Sequence, residues 1–235
     1  GVAKHGNRAI SSSCGSADLM EALGVRIDLS AEQVAQCIDE VGIGFLFAPA
    51  FHPAMKYATP VRREIGLRTI FNILGPLANP ARAKRQLMGI YQQGLTETLA
   101  EVLRLLGSER AFVVHGADGL DELSNTGENA VSELKDGKVT TYSIAPEELG
   151  LTRAKIGDLA GGTVEENVLI TKAVLNGEKG AHRDVVLLNS AALLVAGGKA
   201  GELPEGLALA SSSIDNGKAI AKLEELVKIA RVSAD

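Results

Sequence analysis

The 235-residue sequence contains no tryptophan, two cysteines and only 3% aromatic residues. A core built from it has to be filled by Leu, Ile, Val and Ala, which suits helices laid on a sheet. Cys14 and Cys37 have neither metal nor redox spacing. That excludes a disulfide scaffold and fits reduced thiols in a cytoplasmic protein. No apolar run reaches the ~18 residues that cross a bilayer, and no basic-then-apolar leader precedes the first motif, so no membrane partner is expected. Positive charge is scarce as well: 24 Lys and Arg stand against 29 Asp and Glu, a net -5. That disfavours a broad basic face for nucleic acid. Internal repeats and low-complexity linkers are also lacking. The chain starts without methionine, which reads as processing, truncation or an expression remnant.

What remains is a soluble globular composition, 46% hydrophobic and 23% charged, enough for one large domain or two small ones. Ser16 to Leu23 predicts a helix with Ser16 as its cap, Asp18 in its first turn and Gly24 at its end. Ser30 and Gln33 form a capping box for a second helix. Phe45 to Ala48 reads as a short buried strand that leaves through Pro49. Pro53 and Pro60 suit first helical positions, with Thr59 capping the helix that carries Arg62 and Arg63. Gly75, Pro76 and Pro80 close that region.

Strands are predicted at "QLMGIY" and "AFVVHG", with a helix over 96–106 between them. "AVSELKDGKVTTYSIAP" reads as a hairpin turning at Asp136-Gly137. Thr163 and Glu166 make another capping box. "DVVLLNSAALLVAG" predicts a helix ending at Gly197, and "DNGKAIAKLEELVKIAR" a final amphipathic one. Alternating strands and helices predict an α/β fold, with a mixed, largely parallel central sheet flanked by helices.

Three stretches carry chemistry. "KHGNRAISSSCGS" feeds a glycine-punctuated turn into a helix start, where backbone N–H groups and the helix dipole favour an anion. Serine hydroxyls and the Lys4 charge suit phosphate or pyrophosphate, although the order of a P-loop is missing. A polar loop capped by Ser16 is the plainer reading. "GADGLDELS" sets Asp121 and Glu122 at the end of a buried strand, where α/β sheets bind ligands. The pair suits Mg²⁺ shared with substrate phosphates, or is a solvated acidic loop. "HPAMKYATPVRREIGLR" gathers His52, Lys56, Arg62, Arg63 and Arg68. An Arg there suits a bidentate clamp on a carboxylate. Lys56 and Arg68 read as surface charges, and His52 before Pro53 as structural.

Together these stretches resemble the anthranilate phosphoribosyltransferases. So does "ENVLITKAVLNGEKGAHRDVVLLNSAALLVAG", a packing signature in which Asn167 and Asn189 read as buried polar residues. The resemblance covers essentially the whole chain. It implies transfer of the phosphoribosyl group of 5-phosphoribosyl 1-diphosphate to anthranilate, in tryptophan biosynthesis, on a nucleoside phosphorylase/phosphoribosyltransferase-type domain that uses Mg²⁺. Carried over by position, Lys4, Asn7, Ser11, Gly15 and Ser16 would bind the sugar donor. Asn7, His52 and Arg62 would meet anthranilate, Arg62 through its carboxylate. Asp121 and Glu122 would ligate Mg²⁺. No residue is assigned as a general acid or base.

The resemblance also implies one α/β domain over 1–235, incomplete at its N-terminus, and a helical segment over 52–78 that packs with an N-terminal helical domain. Family members carry further helices, a strand and a Gly-Thr-Gly-Gly-Asp diphosphate loop before the KHGNR motif. None of these is in the 235 residues, so the chain alone is expected to be inactive. A homodimer is expected of the intact enzyme. Two other readings stand beside this one. A pyrimidine nucleoside phosphorylase shares the fold, but its glycine–lysine motif has no counterpart here. A non-catalytic nucleic-acid-binding relative needs a basic groove.

Overall fold

A computed structural model describes residues 1–9, 13–66 and 69–232, in which six strands and ten α-helices form. In chain order the first half holds β1 (Val2–Gly6), α1 (Ser16–Ala22), α2 (Ala31–Glu40), β2 (Ile43–Phe47), α3 (Ala48–Phe51), α4 (Met55–Ile65), α5 (Phe71–Leu77), β3 (Arg85–Gly89) and α6 (Thr96–Leu105). The second half holds β4 (Arg110–His115), β5 (Asn129–Lys135), β6 (Lys138–Ile144), α7 (Val164–Leu175), α8 (Ala181–Ala196), α9 (Leu203–Asp215) and α10 (Lys218–Val232). No helix among the described residues is long and apolar enough to cross a membrane. The chain folds as two compact units. One is Gly1–Arg82 with Gly161–Lys172 and Lys218–Asp235; the other is Ala83–Ala160 with Ala173–Gly217.

In the first unit β1 and β2 pair in parallel, Val2 opposite Ile43 and Gly6 opposite Phe47. The expected capping box starts α2: the Gln33 amide donates to Ser30 Oγ (3.3 Å), and the Ser30 amide donates to the Gln33 side chain (2.8 Å). Val34, Cys37 and Val41 of this segment pack with Val25, Leu29 and Leu46, and with Leu226 and Ala230 from α10. Each large apolar side chain buried there stabilises the fold by about 1.5–3 kcal/mol.

The proline-divided region differs from expectation. Pro60 lies inside α4 instead of starting a helix after Thr59, and Gly75 and Pro76 lie inside α5 instead of ending it. A proline inside a helix deprives the carbonyl four residues back of its partner. For Pro60 that residue is Lys56, which is exposed, so solvent can take the place of the missing donor. The strand before this region ends at Phe47, and Ala48–Phe51 turns helical with Pro49 in its first turn.

In the second unit the strand order is β3-β4-β5-β6. The mixed α/β class is as expected, with parallel pairing among the described residues at β1–β2 and β3–β4. β4–β5 and β5–β6 are antiparallel. Asp136 (φ 50°) and Gly137 (φ 75°) close β5 onto β6, a two-residue turn too short for a parallel crossover. α8 lays Leu188, Ala192 and Val195 on Phe112, Val114 and Val131, while α6 lies against β4, β5 and β6.

α9 has no counterpart among the predicted helices; its signal is Pro204 in the first turn of a serine-rich segment. The final helix starts at Lys218 and not at Asp215, because Gly217 adopts φ 74°. Arg183 of α8, 2% exposed, joins α8 to α9. It pairs with Asp215 at 2.8 Å and donates to Ser211 Oγ (2.9 Å) and the Gly177 carbonyl (3.2 Å).

Candidate active site

In the first unit β1 sets Lys4 on the surface and His5 half-buried beside it. The strand is held by Asn79, whose Nδ2 donates to the Ala3 carbonyl at 3.1 Å. The chain then returns to start α1, and the return is organised by one carboxylate. Asp18 accepts the Ala9 amide (2.9 Å), the Gly15 amide (3.0 Å) and the Arg8 guanidinium (3.0 Å). These contacts, the Ala9 amide first, hold the Asp18 carboxyl below its usual range. Arg8 also pairs with Glu21 at 2.8 Å and lies over the Phe47 ring. Gly15 is required by close approach, since a Cβ there would run into the backbone of Ala9 and Arg8.

The cap of α1 is therefore Gly15 with Asp18 reaching back, not Ser16. A glycine has no side chain to cap with, and the acid in the first turn takes over. Ser16 is the first helical residue, and its hydroxyl donates to the Asn7 carbonyl at 3.5 Å. That carbonyl also accepts the Ala17 amide (3.1 Å), and Asn7 Oδ1 accepts the Arg8 amide (2.8 Å). Two N–H groups of the helix start thus have protein partners. Ser11 and the Arg62 side chain lie outside the described residues.

His52 follows α3, and its ring meets that of His5 edge-on, with centroids 5.0 Å apart and planes at 66°. Both Nε2 atoms are buried without a hydrogen-bond partner in the structure. Burial first, then the like charge of His52, pushes the His5 pKa down, against a hydrogen bond with the Gly75 backbone. His5 therefore favours its neutral ring, and the two rings together hold two unused polar atoms. His5 is not among the residues predicted from sequence. Its signal is the Lys-His pair on a strand that also predicts a turn toward phosphate.

In the second unit Asp121 and Glu122 are exposed. Their backbone is fixed. A Cβ on Gly89, the last residue of β3, would run into the Asp121 carbonyl, so only glycine admits the loop. Asn189 of α8 accepts the Leu123 amide (3.0 Å) and donates to the Leu123 carbonyl (2.7 Å). Asn129, 1% exposed, accepts the Ser124 amide (2.6 Å) and donates to the carbonyls of Ser124, Gly127 and Ile144. Sequence reasoning misses Asn129, since nothing separates it from any asparagine beside a strand.

Among the described residues no group of three or more His, Cys, Asp and Glu converges as a metal cage. Two exposed carboxylates on a rigid backbone fit Mg²⁺, which takes one or two protein carboxylates and completes its shell with water and phosphate oxygens. A polar cavity of about 240 Å³ also opens in this unit, lined by His115, Asp118, Glu128 and Ser143 among others.

The fold is that of a sugar-transferring α/β domain: the model of the glycosyl transferase family, a/b domain, matches residues 1–220. Curated relatives narrow this. The chain is 58% identical over 226 residues to the anthranilate phosphoribosyltransferase of Moorella thermoacetica, covering 96% of this chain and 67% of that protein. It is 58% identical over 225 residues to that of Symbiobacterium thermophilum, covering 96% and 66%. Among solved structures, anthranilate phosphoribosyltransferase from Thermus thermophilus matches with a TM-score of 0.92 at 48% identity, over 97% of this chain and 68% of that one. The Saccharomyces cerevisiae enzyme in complex with PRPP and Mg matches with 0.88 at 29%, over 98% and 65%. The chain belongs to the anthranilate phosphoribosyltransferase family. It spans about two thirds of the length of the relatives it matches. The nucleoside phosphorylase and nucleic-acid-binding readings are not favoured by these relatives.

Proposed function

We propose that this chain serves the pentosyl transfer of its family by supplying part of the site for it. In this reading the amine of anthranilate attacks C1 of 5-phosphoribosyl 1-diphosphate. The N–C1 bond forms, the C1–O bond to diphosphate breaks, and the amine proton passes to solvent. The product is N-(5-phosphoribosyl)anthranilate, on the route to tryptophan. The observation that carries the reading is the exposed Asp121–Glu122 pair on a backbone pinned by Gly89, Asn189 and Asn129, in a chain 58% identical to such an enzyme.

Lys4 places a point charge against phosphate oxygens and stabilises the leaving diphosphate. Asn7 orients the ribosyl region and anthranilate, and Ser11, Gly15 and Ser16 hold the donor. Arg62 clamps the anthranilate carboxylate, and His52 lines the same pocket with His5 beside it. Their two unpartnered Nε2 atoms support a polar ligand there. Mg²⁺, held by Asp121 and Glu122 when bound, neutralises the charge of the diphosphate. Orientation of an already nucleophilic amine accounts for the rest of the rate, without a strong general base.

The segment 52–78 leaves Tyr57, Val61, Ile65 and Ile70 more than half exposed. That supports its role as a packing surface for the family's helical domain and for a homodimer of the intact enzyme. The thiols of Cys14 and Cys37 support a cytoplasmic setting. Calorimetry with 5-phosphoribosyl 1-diphosphate and Mg²⁺ tests the reading. A saturable heat is expected from the chain, and its loss in the Asp121→Asn, Glu122→Gln double variant. No heat at millimolar donor overturns it.

A further inference from the structure

The arm that enters α1 is tied at a second point, far away in sequence. Ser13 Oγ donates to the Gly162 carbonyl at 2.7 Å, across 149 residues. That carbonyl also accepts Asn167 Nδ2 at 2.9 Å, and the same Nδ2 donates to the Thr163 carbonyl at 2.8 Å. Asn167 lies in the first turn of α7. The turn is made rigid by the capping box in which the Thr163 amide donates to Glu166 (2.7 Å) and the Glu166 amide to Thr163 Oγ1 (3.3 Å). A Cβ on Gly162 would run into the Glu166 carboxylate, so the turn sits directly on the helix start. Burial first, then the Asp18 carboxylate and then that of Glu165, pushes up the pKa of the Cys14 thiol next to Ser13.

We infer that Asn167 is a positioning residue for the donor-binding arm. Its amide aims the Gly162 carbonyl, and that carbonyl fixes Ser13 and the Cys14–Ser16 backbone that follows. The inference rests on the proposed function only for what the arm holds. The latch itself is a matter of geometry. Asn167 touches no reacting atom in this scheme. Its carbonyl-facing Nδ2 cannot be replaced by a carboxylate, which would set an acceptor against two acceptors.

Cys14 reports on the latch directly, because it is half-buried in the arm whereas Cys37 is fully buried and silent. The rate of Cys14 labelling by a thiol reagent is compared in the chain and in Ser13→Ala, Asn167→Ala and Asn167→Asp. Each variant is expected to label about fivefold faster, the size of one lost hydrogen bond, with Asn167→Asp the fastest. The Ser13→Ala, Asn167→Ala double variant is expected to be no faster than the quicker single one, since both break one connection. Affinity for inorganic pyrophosphate with Mg²⁺ should fall about fivefold in the same variants. Unchanged labelling, or fully additive labelling in the double variant, overturns the latch. Absence of pyrophosphate binding by the unaltered chain overturns the functional reading and leaves the labelling result to decide the latch. Ser13→Ala removes one exposed hydroxyl, so the test stands should an Asn167 variant fail to fold.

Discussion

The two candidate loops are built in opposite ways. In the second unit the Asp121–Glu122 backbone is held by the neutral side chains of Asn129 and Asn189, which exchange hydrogen bonds with buried main-chain groups. In the first unit the arm before α1 is held by ionic groups nearer the surface. Asp18 and Glu21 gather Arg8 and two amides. Neutral buried clamps are costly to remove and indifferent to pH and salt. Exposed ionic ones are weak singly and respond to both. The loop that carries Asp121 and Glu122 is held by side chains that do not titrate, while the arm predicted to receive an anion has its own carboxylate at its centre.

The largest way to break this comparison is Asn129→Ala. It strands the Ser124 amide and three carbonyls in the interior, and should cost about 3–5 kcal/mol in urea unfolding. A cost under about 1 kcal/mol would mean that the clamp is not what holds the loop.

The middle-sized test is pH, followed by hydrogen exchange at the Ala9 and Gly15 amides against Leu123 and Ser124. His5 has its folded pKa below its ordinary ~6.5. The unfolded chain therefore binds more protons just below that value. Stability of the first unit is full above about pH 6.5 and declines as pH falls from there. His5→Gln should flatten this slope. Asp18 is also depressed, so its contribution is present above the unfolded ~3.9 and is lost as pH falls through the folded value. Protection of Ala9 and Gly15 should drop in both windows, with Leu123 and Ser124 falling less. Parallel loss at all four amides would erase the distinction.

What is legible in the sequence is local. Ser30 with Gln33, Thr163 with Glu166 and Asp136-Gly137 are defined by neighbours three residues apart or fewer, and each forms as read. Ser16 fails as a cap because Asp18, also local, reaches back to the Gly15 amide and starts the helix one residue earlier. Pro60 fails as a boundary because Lys56, four residues before it, is exposed enough to leave its carbonyl to water. His5 against His52 and Asn129 against Ile144 are not legible, because their partners come together only through strand pairing and packing.

The smallest test sharpens the contrast by separating stability from loop geometry. Ser30→Ala removes a cap remote in sequence from the arm and should cost about 1 kcal/mol in thermal unfolding. Pyrophosphate affinity and Cys14 labelling should stay unchanged. A shift in either would tie the arm to the general stability of its unit and weaken the latch through Gly162.

The tight turn between β5 and β6 has a practical consequence. Asp136 and Gly137 are exposed, both already adopt left-handed backbone, and nothing lies within 4 Å of where a Gly137 side chain would project. Such a tip is where a chain accepts foreign sequence most readily. An epitope, a fluorophore-binding tag or a surface tether placed between these two residues would make the hairpin a handle for immobilising the protein.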